Sequence, residues 1–130
     1  MGLNILVVDD SSVMRSVIIK ALKMTSLPLG DIWEAGNGEE GLHLLQEKWI
    51  DLALIDIHMP VMDGEEMINH LRDNEQYENL PVIVISSESD PINVEMMHRK
   101  CTTFIHKPFK PETIREVIMA VTGVRNENED

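Results

Sequence analysis

The sequence predicts an α/β fold in which five βα units form a doubly wound, five-stranded parallel sheet. Three observations favour this fold. Short apolar runs, most of them rich in β-branched residues, recur five times along the 130 residues. Most of these runs are followed by apolar residues at helical spacing or by a pair that typically starts a helix. The runs are continuously apolar rather than alternating, as expected for strands covered by helices on both faces.

The first βα unit begins with a predicted strand at residues 5–8, which is rich in β-branched side chains and ends in two aspartates. Ser11 or Ser12 is a suitable N-cap for the helix that follows, because the next apolar residues share one helix face. Pro28 and Gly30 are strong breakers, and we expect them to end this unit.

The second and third units follow the same order. A weaker strand is predicted at residues 32–35, and Asn37 precedes a helix with apolar residues on one face. The third strand, at residues 52–55, is continuously apolar and ends in Asp56. A loop at residues 59–64 then leads into the third helix.

The fourth and fifth units complete the pattern. The fourth strand is predicted at residues 82–85, and an Asp-Pro pair at residues 90–91 signals the next helix, since aspartate caps helices and proline suits their first position. A short fifth strand is predicted at residues 104–105. The last helix opens at Pro111 and stops at Gly123, a typical C-terminal glycine.

Composition limits the kinds of partner and compartment. We expect one domain at residues 1–123 and a short, disordered acidic tail at residues 124–130. The net charge of −12 argues against direct nucleic-acid binding, which needs a cationic surface. Apolar runs are shorter than the ~20 residues of a membrane helix, and the single Cys101 excludes an internal disulfide. These features predict a cytoplasmic protein.

Polar residues occupy the carboxyl ends of four predicted strands. They are Asp9 and Asp10 after the first strand, Asp56 after the third, Ser86 after the fourth and Lys107 near the end of the fifth. Ligands of parallel α/β sheets bind beyond these ends, so we expect the five side chains to converge. Helix caps and surface ion pairs would explain single residues of this kind but not the whole set.

The predicted set suits Mg²⁺-dependent phosphoryl transfer. Three clustered carboxylates repel one another and need a countercharge, and oxygen ligands favour a hard cation such as Mg²⁺. A carboxylate beside that cation is a competent nucleophile toward phosphorus. Lys107 can neutralise a transferring phosphoryl group, and the Ser86 hydroxyl can donate to one of its oxygens.

These residues lie in motifs that resemble the receiver domains of two-component response regulators. The matching segments are VVDDSS at 7–12, LIDIHMPVMDG at 54–64, ISS at 85–87 and KPF at 107–109. The resemblance extends from about Leu3 to Val121, nearly the whole chain. It implies the flavodoxin-like (CheY-like) strand order 2-1-3-4-5 and a phosphorylation-activated signalling switch.

The resemblance also gives a role to each residue around the acidic site. Asp56 matches the phosphoacceptor, and Asp10 and Asp56 match the carboxylate ligands of Mg²⁺, for which Mn²⁺ could substitute. Asp9 matches an acid that acts through a bound water. His58 matches the position whose backbone carbonyl completes the metal site.

Four further residues match the parts that respond to the phosphoryl group. Lys107 matches the invariant lysine, and a cis peptide bond is expected before Pro108. Ser86 matches the switch hydroxyl, and Phe104 matches the aromatic side chain whose rotamer follows phosphorylation. Because Phe104 has no hydroxyl, its two positions could differ only in packing.

His58 and Glu88 are candidates for tuning the loss of the phosphoryl group. His58 would place an ionisable ring near the attacking water, and Glu88 lies two residues after Ser86. The alternative is that both side chains simply face solvent.

The implied partners are a histidine kinase or phosphotransfer protein as donor and a protein as downstream target. The target face is expected on the fourth helix, fifth strand and fifth helix, which include a basic stretch between His98 and Arg115. Arg15, Lys20 and Lys23 on the first helix could assist donor docking, or form a solvated face. We expect a monomer or weak dimer, output through protein contacts as in chemotaxis or a phosphorelay, and no catalysis beyond its own phosphorylation and dephosphorylation.

Three alternatives compete with this hypothesis. The chain could be a receiver fragment of a larger regulator with a DNA-binding or enzymatic output domain. Residues 36–41 match G-x-G-x-x-G, and Asp56 follows Gly36 by twenty residues, as in a dinucleotide-binding fingerprint; that hypothesis leaves Lys107 and the first-strand aspartates without roles. A haloacid-dehalogenase-type phosphatase would need a carboxylate two residues after its nucleophile, and none of the three aspartates has one.

Overall fold

Five parallel strands form one sheet with the order β2-β1-β3-β4-β5, and helices pack on both of its faces. The computed structural model describes residues 2–56, 62–86 and 102–124. The strands are β1 (Leu3–Val8), β2 (Leu29–Ala35), β3 (Leu52–Asp56), β4 (Val82–Ser86) and β5 (Thr102–His106). The helices in the described ranges are α1 (Ser12–Lys23), α2 (Gly38–Glu47), α3 (Gly64–Arg72) and α4 (Pro111–Thr122). The predicted doubly wound fold and its strand order are confirmed.

Strand β1 explains why the apolar runs are continuous. Ile5 and Val7 lie in a core layer shared with α1 and α4, while Leu6 and Val8 lie in the opposite layer, shared with α2 and α3. All four side chains are fully buried. A central parallel strand therefore buries both of its faces, and each such side chain stabilises the fold by about 1.5–3 kcal/mol.

Side-chain caps fix the starts of three helices. Ser11 caps α1, Asn37 caps α2 and Asp63 caps α3, each by accepting the backbone N–H three residues further on. Of the two serines predicted as candidates, Ser11 is thus the cap. Helix α4 ends at Gly123, whose φ of 76° lies in the left-handed region that favours glycine.

Strand β2 is longer than predicted, and Gly30 lies inside it. The expectation that Gly30 ends the first unit is wrong, because this glycine allows a close contact between strands. A Cβ atom at Gly30 would overlap Asn4 Oδ1. That oxygen accepts the N–H of Asp31 at 2.8 Å and so ties the β1 side chain to the edge strand.

Part of the prediction falls on residues that the structure does not describe. The helix signalled at residues 90–91 is one such element, and the tail from residue 125 onward is another. The domain limits of 1–123 therefore stay a prediction. None of the described helices is long and apolar enough to cross a membrane.

Two of the three glycines in residues 36–41, Gly38 and Gly41, allow close packing against α3 and the segment that leads into it. The Gly38 N–H donates to the Met62 carbonyl at 3.0 Å. A Cβ atom at Gly38 would lie 2.8 Å from Met62 Cγ, and one at Gly41 would lie 2.8 Å from Met67 Cε. The loop also follows β2, an edge strand, whereas the strand order reverses between β1 and β3. The dinucleotide hypothesis therefore has no support from the fold.

We expect Gly38→Ala to lower the free energy of unfolding by about 1–3 kcal/mol. The added methyl group would overlap Met62, whose backbone oxygen would lie 2.9 Å from it, and this outweighs the roughly 1 kcal/mol of helix propensity that alanine adds. Urea denaturation measures the change. Glu39→Ala, an exposed position in the same turn, should stay within about 0.5 kcal/mol of the wild type. Equal stability of the Gly38 variant and the wild type would contradict the packing role.

Candidate functional site

The register of the central strands brings their carboxyl ends to one level. Val8 of β1 pairs with Ile55 of β3, and Asp56 of β3 pairs with Ile85 of β4. Asp9, which follows Val8 directly, is therefore level with Asp56. The two acids meet at the edge of the sheet where the strand order reverses.

Asp9, Asp10 and Asp56 form an acidic cluster at this edge. Each contributes a carboxylate oxygen, and these oxygens lie within 4.8 Å of one another. Asp9 is 1% exposed and Asp56 is 8% exposed, whereas Asp10 is open to solvent. Two carboxylates at such a separation repel by roughly 3 kcal/mol at an effective dielectric constant of about 20. The cluster therefore concentrates negative charge that a cation would stabilise.

Asp9 is the most deeply buried of the three acids. Its Oδ1 accepts the Ser11 N–H at 2.9 Å, but its buried Oδ2 has no hydrogen-bond donor among the described residues. Burial raises the pKa of Asp9, and the neighbouring Asp10 adds to the rise. The Ser11 N–H and the positive charge of Lys107 lower that pKa in part. Ionised Asp9 is thus only partly compensated.

Lys107 approaches the cluster from the end of β5. Ser86 of β4 pairs with His106 of β5, so Lys107 follows at the same edge of the sheet. Its Nζ lies 3.9 Å from Asp56 Oδ1, and its side chain is 26% exposed. The Lys107–Pro108 peptide bond is cis. A partly exposed ammonium group therefore stands beside the buried carboxylate.

The structure brings four of the five strand-end residues together, namely Asp9, Asp10, Asp56 and Lys107. The Ser86 backbone ends β4 at the same edge, but its side chain lies outside the described part of the structure. Phe104 lies in β5, partly buried against the core layer of α2 and α3. His58 and Glu88 lie outside the described residues, so the metal-ligand role of the first and the tuning role of both stay hypotheses.

The cluster fits a hard divalent cation. Its donors are carboxylate oxygens, which Mg²⁺ and Mn²⁺ prefer. The three aspartates supply these oxygens, and one of their atoms, Asp9 Oδ2, is buried and has no hydrogen-bond partner among the described residues. Among the described residues, Asp9, Asp10 and Asp56 are those that could hold such an ion.

Two residues that support the cluster are missed by the sequence reasoning. Arg15 Nη1 donates to the Asp9 carbonyl at 2.6 Å, and Arg15 Nε donates to Glu34 Oε1 at 3.0 Å. The sequence places Arg15 on a candidate docking face, but the structure turns it toward the end of β1. The one sequence feature that could indicate this contact is Glu34, an acid placed one position before the end of the otherwise apolar stretch of β2 at residues 32–35.

Comparison with known proteins gives a consistent result. Residues 5–119 match the family model of the response regulator receiver domain. A chemotaxis protein CheY homolog of Campylobacter jejuni is 33% identical over 123 residues, which cover 93% of both chains. The crystal structure of chemotaxis protein CheY4 of Vibrio cholerae is similar with a TM-score of 0.81 at 28% identity, covering 93% of this chain and 99% of its own.

A third similar structure confirms the fold. The receiver domain of a sensor histidine kinase from Pseudomonas aeruginosa has a TM-score of 0.81 at 22% identity, and the match covers 95% of this chain and 99% of its own. That structure holds a magnesium ion coordinated in its active site cleft. At this identity the likeness shows a shared fold.

Asp9→Asn is expected to stabilise the cation-free protein near pH 7. Because the pKa of Asp9 is raised by folding, the folded state binds its proton more tightly than the unfolded state. Ionised Asp9 therefore lowers stability at neutral pH, and this cost disappears as the pH falls through the raised pKa. Urea denaturation in EDTA, near pH 7 and near pH 4, measures the difference.

The control for this prediction is Asp31→Asn, which removes an exposed carboxylate far from the cluster and should change stability by less than about 0.5 kcal/mol. A destabilised Asp9→Asn protein at neutral pH would show that the carboxylate is fully compensated without a cation.

Proposed function

Because the chain belongs to the family of response regulator receiver domains, which act as phosphorylation-activated switches in two-component signalling, we propose that Asp56 accepts the phosphoryl group. The acidic cluster carries this proposal. Asp56 shares the cluster with Asp9 and Asp10, and Lys107 Nζ lies 3.9 Å from its Oδ1. Family membership makes the chain a CheY-type switch. The roles of the individual residues, described below, are what we propose.

Asp56 acts as the nucleophile. One of its carboxylate oxygens attacks the phosphorus of a phosphohistidine on the donor protein, so that an O–P bond forms while the N–P bond breaks. The imidazole leaves with the bonding electron pair. Asp56 is only 8% exposed, which restricts the directions of approach and favours the in-line geometry that phosphoryl transfer requires.

The neighbouring side chains stabilise the charge of the transferred group. Lys107 ends in a partly exposed ammonium group near Asp56, so a small rotamer change lets it contact a phosphoryl oxygen. The Ser86 hydroxyl donates to a second oxygen. Asp10 and Asp56 would hold a Mg²⁺ ion, with Asp9 acting through a bound water, and the bound ion would supply positive charge to the acids and to the phosphoryl oxygens.

The switch couples this charge to packing. Ser86 ends β4, and its movement toward the phosphoryl group would open space beside Phe104 in the adjacent strand β5. Phe104 is partly buried against the core layer of α2 and α3, so an inward turn would remove apolar surface from water. This is a two-state element biased by a local change of charge.

Receiver domains interact with histidine kinases and phosphotransfer proteins, and we propose a donor of that kind here. The proposed target face includes β5 and the last helix, α4, where Lys110 is exposed and Arg115 is half-buried. A protein target would read this face, and the chain would act as a monomer or weak dimer in the cytoplasm. Its own phosphorylation and dephosphorylation are the reactions that we propose it catalyses.

Asp56→Ala should abolish phosphoryl uptake from acetyl phosphate and Mg²⁺, because the proposed nucleophile is gone. Intact-mass spectrometry of the wild type should show one added phosphoryl group, and the variant should show none. Asp31→Ala, which removes an exposed aspartate within the edge strand β2, is the matched control and should be labelled like the wild type. Wild-type labelling of the Asp56 variant would overturn the assignment.

Mg²⁺ should stabilise the wild type by binding the folded state at the cluster. At a concentration tenfold above the dissociation constant, the expected gain is about 1.4 kcal/mol. Asp10→Asn should lose most of this gain, because it removes a proposed ligand without creating a cavity. Thermal unfolding with Mg²⁺ and with EDTA measures both proteins. An equal Mg²⁺-dependent gain in the variant would exclude Asp10 as a ligand.

A further inference from the structure

Arg15 connects three separate segments at the edge of the acidic cluster. It belongs to the first turn of α1, where its own N–H donates to the Ser11 carbonyl at 2.9 Å. Its Nη1 donates to the Asp9 carbonyl at 2.6 Å, and its Nε donates to Glu34 Oε1 at 3.0 Å. The guanidinium group therefore joins α1, the end of β1 and the end of β2.

These contacts complete the anchoring of Asp9. Its N–H donates to the Ala35 carbonyl at 3.0 Å, so the residue is already tied to the end of β2 on one side. Arg15 adds the second tie, from the Asp9 carbonyl back to Glu34 of the same strand. Asp9 is thus tied to β2 on both sides: directly through the peptide group that precedes it, and through Arg15 and Glu34 by the peptide group that joins it to Asp10.

The contact of Arg15 with Asp9 is to the backbone: its Nη1 donates to the Asp9 peptide carbonyl. A hydrogen bond of this kind fixes the position of the peptide group. A planar guanidinium group can donate from Nη1 and Nε at a fixed angle, which an ammonium group cannot do. The Arg15 side chain is 19% exposed and its partner Glu34 is 47% exposed, so the pair is shielded on one side.

We propose that Arg15 and Glu34 form a brace that positions the Asp9–Asp10 segment for the divalent cation. The inference rests on the proposed function of the cluster, and both members of the brace are positioning residues that do not contact the ion. Outer residues of this kind commonly change metal affinity 10- to 100-fold, because they fix the orientation of the ligands. The brace sets the Mg²⁺ concentration at which the site fills.

The direct test is calorimetric titration of Mg²⁺ into the wild type, Arg15→Ala, Arg15→Lys and Glu34→Gln. Arg15→Ala should raise the dissociation constant about 10-fold or more. Glu34→Gln keeps a hydrogen-bond acceptor for Nε and should have a smaller effect. Arg15→Lys keeps the positive charge but loses the planar pair of donors, Nη1 and Nε, so it should not restore wild-type affinity.

A second measurement separates metal loading from chemistry. Phosphoryl uptake from acetyl phosphate should need about 10-fold more Mg²⁺ for half-maximal rate in Arg15→Ala, while the rate at saturating Mg²⁺ stays within about twofold of the wild type. If the wild type takes no phosphoryl group on Asp56, the proposed function fails, and the calorimetric titration still decides the brace.

Two controls exclude general effects. Lys20→Ala removes an exposed cation from the same helix and should leave Mg²⁺ binding unchanged. Thr25→Val removes two buried hydrogen bonds, to the Leu22 carbonyl and from the Leu27 N–H, at the far end of α1. It should lower stability while leaving Mg²⁺ affinity at the wild-type value.

The outcomes are distinct. Weaker Mg²⁺ binding in Arg15→Ala, without rescue by lysine and without a matching loss in Thr25→Val, supports the brace. Wild-type affinity in Arg15→Ala overturns it. Full rescue by Arg15→Lys also overturns it, because charge rather than geometry would then be the cause. A loss in Thr25→Val that equals the loss in Arg15→Ala overturns it as well, since affinity would simply follow stability.

Discussion

Mutual repulsion among three carboxylates at one edge of the sheet is the constraint on which the structure depends. The unfolded chain would keep Asp56 away from Asp9 and Asp10, yet folding holds oxygens of all three within 4.8 Å. Two of these acids are also removed from water, which raises the cost further. Such a site persists only where the surrounding scaffold is rigid and its stability exceeds the repulsion.

The scaffold meets this requirement through its central strands. Strands β1 and β3 bury side chains on both faces, so neither strand can slide without moving two core layers at once. The parallel pairing of Val8 with Ile55 fixes the height at which the acids emerge. The burial of apolar side chains in the central strands thus offsets the repulsion among the acids at the carboxyl edge of the sheet.

The sequence alone predicts those features that depend on local pattern. The continuous apolar runs and the acids at their ends suffice to locate β1, β3 and the cluster, because strand ends converge in a parallel sheet. The start of β2 and the place of Gly30 are not predictable in this way, since they depend on Asn4, which lies in another strand. Arg15 and Glu34 are 19 positions apart, and no local rule pairs them.

The acidic cluster exists only in the folded chain. Asp9 and Lys107 come from opposite ends of the sequence, and the acids between them become neighbours only when β1, β3 and β5 are aligned in one sheet. A partly folded or newly made chain carries every one of these residues but has no pocket. On the proposed assignment of Asp56 as phosphoacceptor, such a chain would not take up phosphoryl groups, and only correctly folded copies would signal.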